Sequence, residues 1–264
     1  MTFSWETLAR VQFEGDAHVI EDSCGFTGPH AWVIDGATSL LEPLGLPAAS
    51  DPQWLAQVLS VELARCGGDD VRSRLAAALA AVDAEATKLA GAEKIRFPSA
   101  AISVAHLNAD GVEVASLADC TVVVRTEDGA THVVRAELAD SRVELEASRR
   151  AVDPAERLSL LIRDRELRNT VGNLWVARRE PEAADHARVV QLGRPALMVM
   201  ASDGAWRAVD LGLVSGPEEF LERASTPLGA LELMTELRRK QGDIGEVADD
   251  ATVLTLAPAD RTGS

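Results

Sequence analysis

The sequence predicts an α+β protein in which helices and antiparallel strands occupy separate layers. Three observations carry this. Amphipathic helical patterns come in adjacent pairs. Strand-like apolar runs come in groups joined by Asp-Gly turns. Helix and strand patterns do not alternate one for one, as a βαβ winding requires.

The elements follow in order. Phe3, Trp5, Leu8, Val11 and Phe13 partly alternate with polar residues, predicting a half-buried strand over 3–14. A short apolar run at 32–34 predicts a buried strand ending on Asp35-Gly36. Trp54, Leu55, Val58, Leu59 and Leu63 fall at helical spacing over 51–66, with Ser50 or Asp51 as cap and Gly67 beyond the end. Leu75, Leu79, Val82 and Leu89 predict a second helix over 70–89, able to cover the same sheet face. A meander is predicted next, with strands at 101–107, 112–117, 121–125 and 130–134 and an interruption at Asp119-Cys120. Helices are predicted over 154–168, 217–224 and 227–240, and strands over 174–177, 196–201 and 252–256.

The chain has 264 residues, 47% hydrophobic and 26% charged, enough for a large core. No linker-like stretch or internal repeat divides it, so one domain over 1–264 is expected, with a disordered tail from about 258. A net charge of -16 argues against nucleic acid and anionic membranes as partners. Three cysteines without CxxC spacing read as reduced thiols. The start, MTFSWETLAR, lacks the basic-then-apolar order of a signal peptide, and no apolar run reaches ~18 residues. A cytoplasmic location without membrane contact is therefore expected.

Acids recur at the predicted strand ends. Glu21-Asp22 precede the run at 32–34, and Asp35-Gly36 close it. "ALMVMASDGAW" places Asp203-Gly204 after a strand, and "EVADDATVLTL" places Asp249-Asp250 before one. Singly, each reads as a turn or solvated loop. Together they form an oxygen-rich set of the kind Mg²⁺ and Mn²⁺ prefer. A carboxylate can bridge two such cations ~3.5–4 Å apart, and the pair can activate water for in-line attack at phosphorus. The sequence carries no nucleophile elbow, no Gly-rich phosphate loop and no twelve-residue calcium loop.

Five segments, "IEDS" at 20–23, "WVIDGATS" at 32–39, "ASLADCTVVVR" at 115–125, "VMASDGAWRAV" at 199–209 and "DDATVLTL" at 249–256, stand in the order found in one family. The chain resembles the metal-dependent Ser/Thr protein phosphatases of type 2C, the PPM family, as a divergent bacterial-type member. The resemblance implies a four-layer αββα sandwich: two antiparallel sheets packed face to face, flanked by helix pairs, with a metal centre at one edge. It implies two Mn²⁺ or Mg²⁺ ions, and a third at a weaker site. Asp35 would bridge the pair and the Gly36 carbonyl would bind one ion. Asp203 and Asp249 would hold the second, and Glu21 would act through a bound water. Asp22 and Asp250 would support from behind, and Asp119 would join Asp203 at the third site. The implied reaction is hydrolysis of phosphoserine or phosphothreonine in proteins by a metal-bridging hydroxide, opposite a cognate Ser/Thr kinase system.

The departures from the family pattern concern substrate handling. Ala17 stands where many members carry a phosphate-clamping Arg, and Ala37 where many carry a proton-donating His. Thr38-Ser39 replace a glycine pair, and Ala118 and Cys120 replace Gly and Ser. His18 and His30 are the candidate proton donors to the leaving alkoxide. Arg178-Arg179 could bind a phosphoryl oxygen. Two alternatives stay open: an inactive phosphatase-fold module that binds a phosphorylated partner, and a phosphatase of a small phosphorylated molecule.

Overall fold

A computed structural model describes residues 3–68, 70–89, 95–136 and 153–259. Strands β1 (Trp5–Phe13), β6 (Thr121–Thr126), β7 (Thr131–Val134), β9 (Pro195–Ala201) and β10 (Ala251–Pro258) form one sheet in the order β1-β10-β9-β6-β7. Strands β2 (Ser23–Thr27), β3 (His30–Ala37), β4 (Ser99–Asn108), β5 (Gly111–Leu117) and β8 (Arg188–Leu192) form the other, in the order β2-β3-β4-β5-β8. Every strand pairing is antiparallel.

Three apolar cores separate four layers. Alternation along the strands makes this possible, because successive side chains leave opposite faces of a sheet. Trp32, Ile34, Ile102 and Val104 face helices α1 (Asp51–Arg65) and α2 (Val71–Leu89), meeting Leu55, Leu59, Leu75 and Leu79. The next residues along, such as Ala31, Val33 and Ala105, face the second sheet and meet Val122, Met198, Met200 and Leu254. On the far side Val123, Val199 and Val253 pack against α4 (Asp203–Asp210), α5 (Pro217–Arg223) and α6 (Pro227–Ile244), through Phe220, Leu233 and Leu237. The α+β class and the αββα layering are both present.

The helix boundaries follow local chemistry. Ser50 caps α1 by accepting from Gln53 N at 3.2 Å, and Pro52 occupies the first turn, where its missing N–H costs nothing. Thr226 caps α6 in the same way through Gly229 N, and left-handed Gly245 ends it. Helix α3 (Pro154–Leu167) starts at Asp153, which accepts from Ala155 N at 2.9 Å.

The structure corrects several sequence-based expectations. The predicted meander splits: β5 and β6 lie in different sheets, and residues 118–120 carry the chain from one to the other through Ala118 at φ 59°. Residues 174–177 make no strand, only a bridge from Ala177 to Ala100. The short strands β2 and β8 and helix α4 are additions. The strand after Trp32 runs on through Asp35-Gly36 to Ala37. Of the tail expected from about 258, Pro258 pairs with Trp5, and residues 260–264 lie outside the described residues.

Candidate metal centre

One end of the molecule collects acids from both sheets. Asp35 sits near the end of β3, and Glu21 and Asp22 just ahead of β2. From the other sheet, Asp203 follows β9 and opens α4, while Asp249 and Asp250 precede β10. Asp119 lies in the crossing between β5 and β6.

A direct hydrogen bond spans the seam: Asp203 N donates to Asp35 Oδ2 at 3.1 Å. Asp250, buried, organises the rear. Its Oδ1 accepts from Gly15 N at 2.7 Å and its Oδ2 from Glu21 N at 2.5 Å. Glu21 Oε1 accepts from the Ser50 hydroxyl at 2.6 Å. The Asp249 carboxylate accepts from Asp250 N at 2.8 Å, and its carbonyl accepts from Arg238.

Both Asp-Gly pairs answer to close approach rather than to a turn. A Cβ on Gly36 would lie 2.5 Å from Glu21 O, and one on Gly204 would lie 1.9 Å from Asp250 O. In each pair, glycine lets a backbone from the neighbouring element reach the acid beside it.

Electrostatics show how tightly the acids are gathered. Burial, then Asp203, Asp22 and Asp119, holds the Asp35 carboxyl well above the usual carboxylate range. Burial foremost pushes Asp22 up to about 8, with Asp250 and Asp203 adding to it. Burial, and then Asp119, takes Asp203 up to about 6. Glu21 and Asp249 are raised as well, again first by burial. At an effective dielectric of about 20, two like charges ~4 Å apart repel by about 4 kcal/mol. A hydrogen bond returns only about 1 kcal/mol net. The cluster therefore needs protons or a cation to balance it.

The donor set fits a hard divalent cation. All its side-chain donors are oxygens, and Asp22 Oδ2 is sealed from solvent without a hydrogen-bond partner. Among the described residues, no three His, Cys, Asp or Glu side chains close on a single point as an ion would require. The acids lie close enough to shift one another's protonation without converging on a common point.

Other sequence candidates fall elsewhere. His18 is exposed and turned toward Glu14 at 3.3 Å. His30 lies at the opposite end of β3, roughly 16 Å along the strand from Asp35. It stacks on His106 with centroids 4.5 Å apart, so it is not brought to the acids. Arg178 is buried and grips Glu180 through two contacts, at 2.7 and 3.0 Å. Arg179 binds Asp83 at 2.6 Å. Ala17 is exposed, and Ala37 lies in β3 opposite Ser99. Ser50 and Arg238 bond directly to the acid cluster and were not proposed as site residues from sequence. Of these two, Ser50 gave a signal, as a helix cap.

No protein-family model and no curated protein matches the chain. Solved structures do. The catalytic domain of the serine/threonine phosphatase PstP, in complex with 2 manganese ions, superposes with a TM-score of 0.59 at 17% identity, covering 98% of this chain and 99% of that one. The PPM Ser-Thr phosphatase MsPP from Mycobacterium smegmatis, in complex with cacodylate, does so at 0.54 and 17%, covering 96% and 99%. PppA, a regulatory component of the T6SS in Pseudomonas aeruginosa, matches at 0.60 and 14%, covering 98% and 100%. The chain has the fold of the PPM-type Ser/Thr phosphatases. Its acidic seam occupies one end of that PPM fold, where the two sheets of the sandwich meet.

Proposed function

We propose that the chain is a metal-dependent phosphomonoesterase acting on phosphoserine or phosphothreonine in proteins. The observation that carries this is the Asp35–Asp203 contact across the two sheets, with Asp119, Asp22 and Asp249 within electrostatic reach of the pair and Glu21 facing Asp249 and Asp250; Arg238 stands beside Asp249. The PPM fold, shared with a manganese-bound phosphatase, supports the same reading.

In this reading Asp35 and the Gly36 carbonyl would hold one Mn²⁺ or Mg²⁺, Asp35, Asp203 and Asp249 would hold a second, and Asp119 with Asp203 would hold a third, weaker one. The bound ions would supply Lewis acidity and an activated water for displacement at phosphorus. The chain's own residues prepare the place. Asp250 fixes the Glu21 backbone and the turn at Gly15. Glycines 36 and 204 let the strand ends approach. Ser50 orients Glu21. No side chain is needed as a nucleophile, and Ser202, buried and bonded to Thr252 N at 2.9 Å, is not placed to be one.

The test compares an aryl phosphate with a phosphothreonine peptide, with Mn²⁺ and with EDTA. Metal-dependent turnover that collapses in Asp35→Asn and Asp203→Asn is expected. Full turnover in EDTA, or in Asp203→Asn, would overturn the assignment. Exposed Ala17 offers no clamp for the phosphoryl group, which favours a second reading: binding of a phosphorylated partner without turnover. Saturable phosphopeptide binding with Mn²⁺ bound and no hydrolysis would select it.

A further inference from the structure

Asp203 and Asp249 stand on separate elements: Asp203 opens α4, and Asp249 lies between α6 and β10. A continuous run of side-chain hydrogen bonds joins those elements behind the seam. Arg207, one turn along α4 from Asp203, grips Glu246 twice. Its Nε donates to Oε1 at 3.1 Å and its Nη2 to Oε2 at 2.6 Å. Gln241 Nε2 donates to the same Oε1 at 3.2 Å, and Gln241 Oε1 accepts from Arg238 Nη1 at 2.9 Å. Arg238 Nη2 then donates to the Asp249 carbonyl at 2.5 Å, and to the Glu14 and Phe13 carbonyls at 3.2 and 3.3 Å.

Local chemistry builds this run. Left-handed Gly245 ends α6 and turns the chain back, so Glu246 N donates to Gln241 O at 3.0 Å and the glutamate returns to the last turn. Gln241 is buried, and one orientation of its amide serves both neighbours: oxygen toward the guanidinium, nitrogen toward the carboxylate. Beyond Arg238, the loop is clasped to the end of β1. Ala248 N donates to Asp16 Oδ2 and Asp16 N to Ala248 O, each at 2.9 Å.

We propose that Arg207, Glu246, Gln241 and Arg238 are positioning residues that fix the Asp249 loop relative to the start of α4, and so set the spacing of Asp203 and Asp249. They do this through backbone and through one another: Arg238 meets the Asp249 carbonyl, and Arg207 acts through its own helix. The consequence for catalysis rests on the phosphatase reading; the consequence for geometry does not. Side chains bonded in series behave as a unit, so opening one link should loosen the elements at both ends.

The experiment measures amide hydrogen exchange on the full chain in EDTA, then Mn²⁺ affinity by calorimetry. Arg207→Met breaks the run three links from the loop. It should speed exchange of the Asp250 N–H, which donates to Asp249 Oδ1, about fivefold, the equivalent of one hydrogen bond. The Ile102 and Val104 amides, in the other sheet, should not change. Arg207→Lys, which keeps one donor for Glu246, should recover most of the protection. The double variant Arg207→Met, Arg238→Met should match Arg238→Met within about twofold, because the run is already open. Mn²⁺ affinity in Arg207→Met should fall about tenfold, as on loss of a partner behind a ligand. Unchanged Asp250 exchange in Arg207→Met would overturn the inference, and so would an equal rise at Ile102 and Val104, the mark of general loosening. Faster exchange with wild-type Mn²⁺ affinity would overturn its consequence for the ions. A wild-type chain that binds no Mn²⁺, or binds it and hydrolyses neither substrate, would sink the phosphatase reading, while exchange still decides the positioning role.

Discussion

The two ends of β3 make opposite uses of buried charge. At one end Asp35 meets Asp203, Asp22 and Asp119, and every resolved shift there moves a carboxyl upward. At the other end His30 lies beside His106 and Arg74. Burial first, then those two bases, lowers its pKa to about 4. Burial penalises charge of either sign, so both ends favour neutral forms. They differ in what can relieve them. The imidazoles are neutral near pH 7 and stack, and Arg74 donates to Leu63 O at 2.5 Å. That end also keeps two buried nitrogens without a partner, His30 Nδ1 and Arg74 Nε, but its imidazoles shed their charge without any ligand. The acid end has like charges, an orphaned Asp22 oxygen and partial access to solvent. Arg238 offsets Asp249 in part, and protons or a ligand of opposite charge must balance the rest. Titratable groups alone would not distinguish a site from a sealed core; the kind of relief available does.

The sharpest way to break this contrast is to neutralise the seam. Asp35→Asn or Asp203→Asn removes several kcal/mol of metal-based charge stabilisation, so turnover should fall roughly 10³-fold. In EDTA the same variants should melt higher than wild type, because a repelling charge is gone. Kinetics and a melting curve on one preparation check both halves. A variant that loses activity and also melts lower would mean the acids stabilise the fold.

A smaller effect distinguishes the ends by pH. Asp22 and Asp203 titrate near 8 and 6 in the folded chain and near 4 when unfolded. Between those values only the folded state keeps the proton. Without metal, stability from this end is therefore present at low pH and lost as pH rises from about 4 toward 8. His30 tilts the other way: its folded value, about 4, lies below an unfolded value near 6.5. Its contribution is lost as pH falls through that window. Melting temperatures in EDTA should decline from pH 6.5 to 8, and excess Mn²⁺ should flatten the decline by replacing the protons.

The mildest change is at the base end. His30→Leu should leave turnover within about twofold, since the residue sits roughly 16 Å of strand from Asp35. It should also reduce the loss of stability between pH 6.5 and 4.5. A large drop in turnover would show that the far end of β3 is coupled to the seam.

Much of this was legible in the sequence, for particular reasons. Helical spacing around Trp54 and Leu75 and the Asp-Gly turns gave most elements, because amphipathic periods survive in any layered core. The acids were legible by recurrence at strand ends. What stayed hidden depends on long-range placement. The strand-like runs at 112–117 and 121–125 read as one meander despite the interruption at Asp119-Cys120, and the left-handed backbone at Ala118 stands where the second run leaves for the other sheet. Helix α4 opens on Asp203-Gly204, which reads as a turn until the Asp250 carbonyl beneath it is seen. His30 looked like a neighbour of Asp35 by number, yet a strand carries residues apart at about 3.3 Å each. Arg165 and Thr38 meet across 127 positions, a pairing that no local pattern announces.

The seam is built half from one sheet and half from the other, and only the packing between the sheets sets its width. Val33, Val122, Met200 and Leu254, none of which touches a phosphate, act as the gauge blocks of the chemistry. Shaving a methyl group from that stack changes the gap between Asp35 and Asp203 before it unfolds anything. On the phosphatase reading, some loss-of-activity variants would therefore sit in the driest interior, far from any acid.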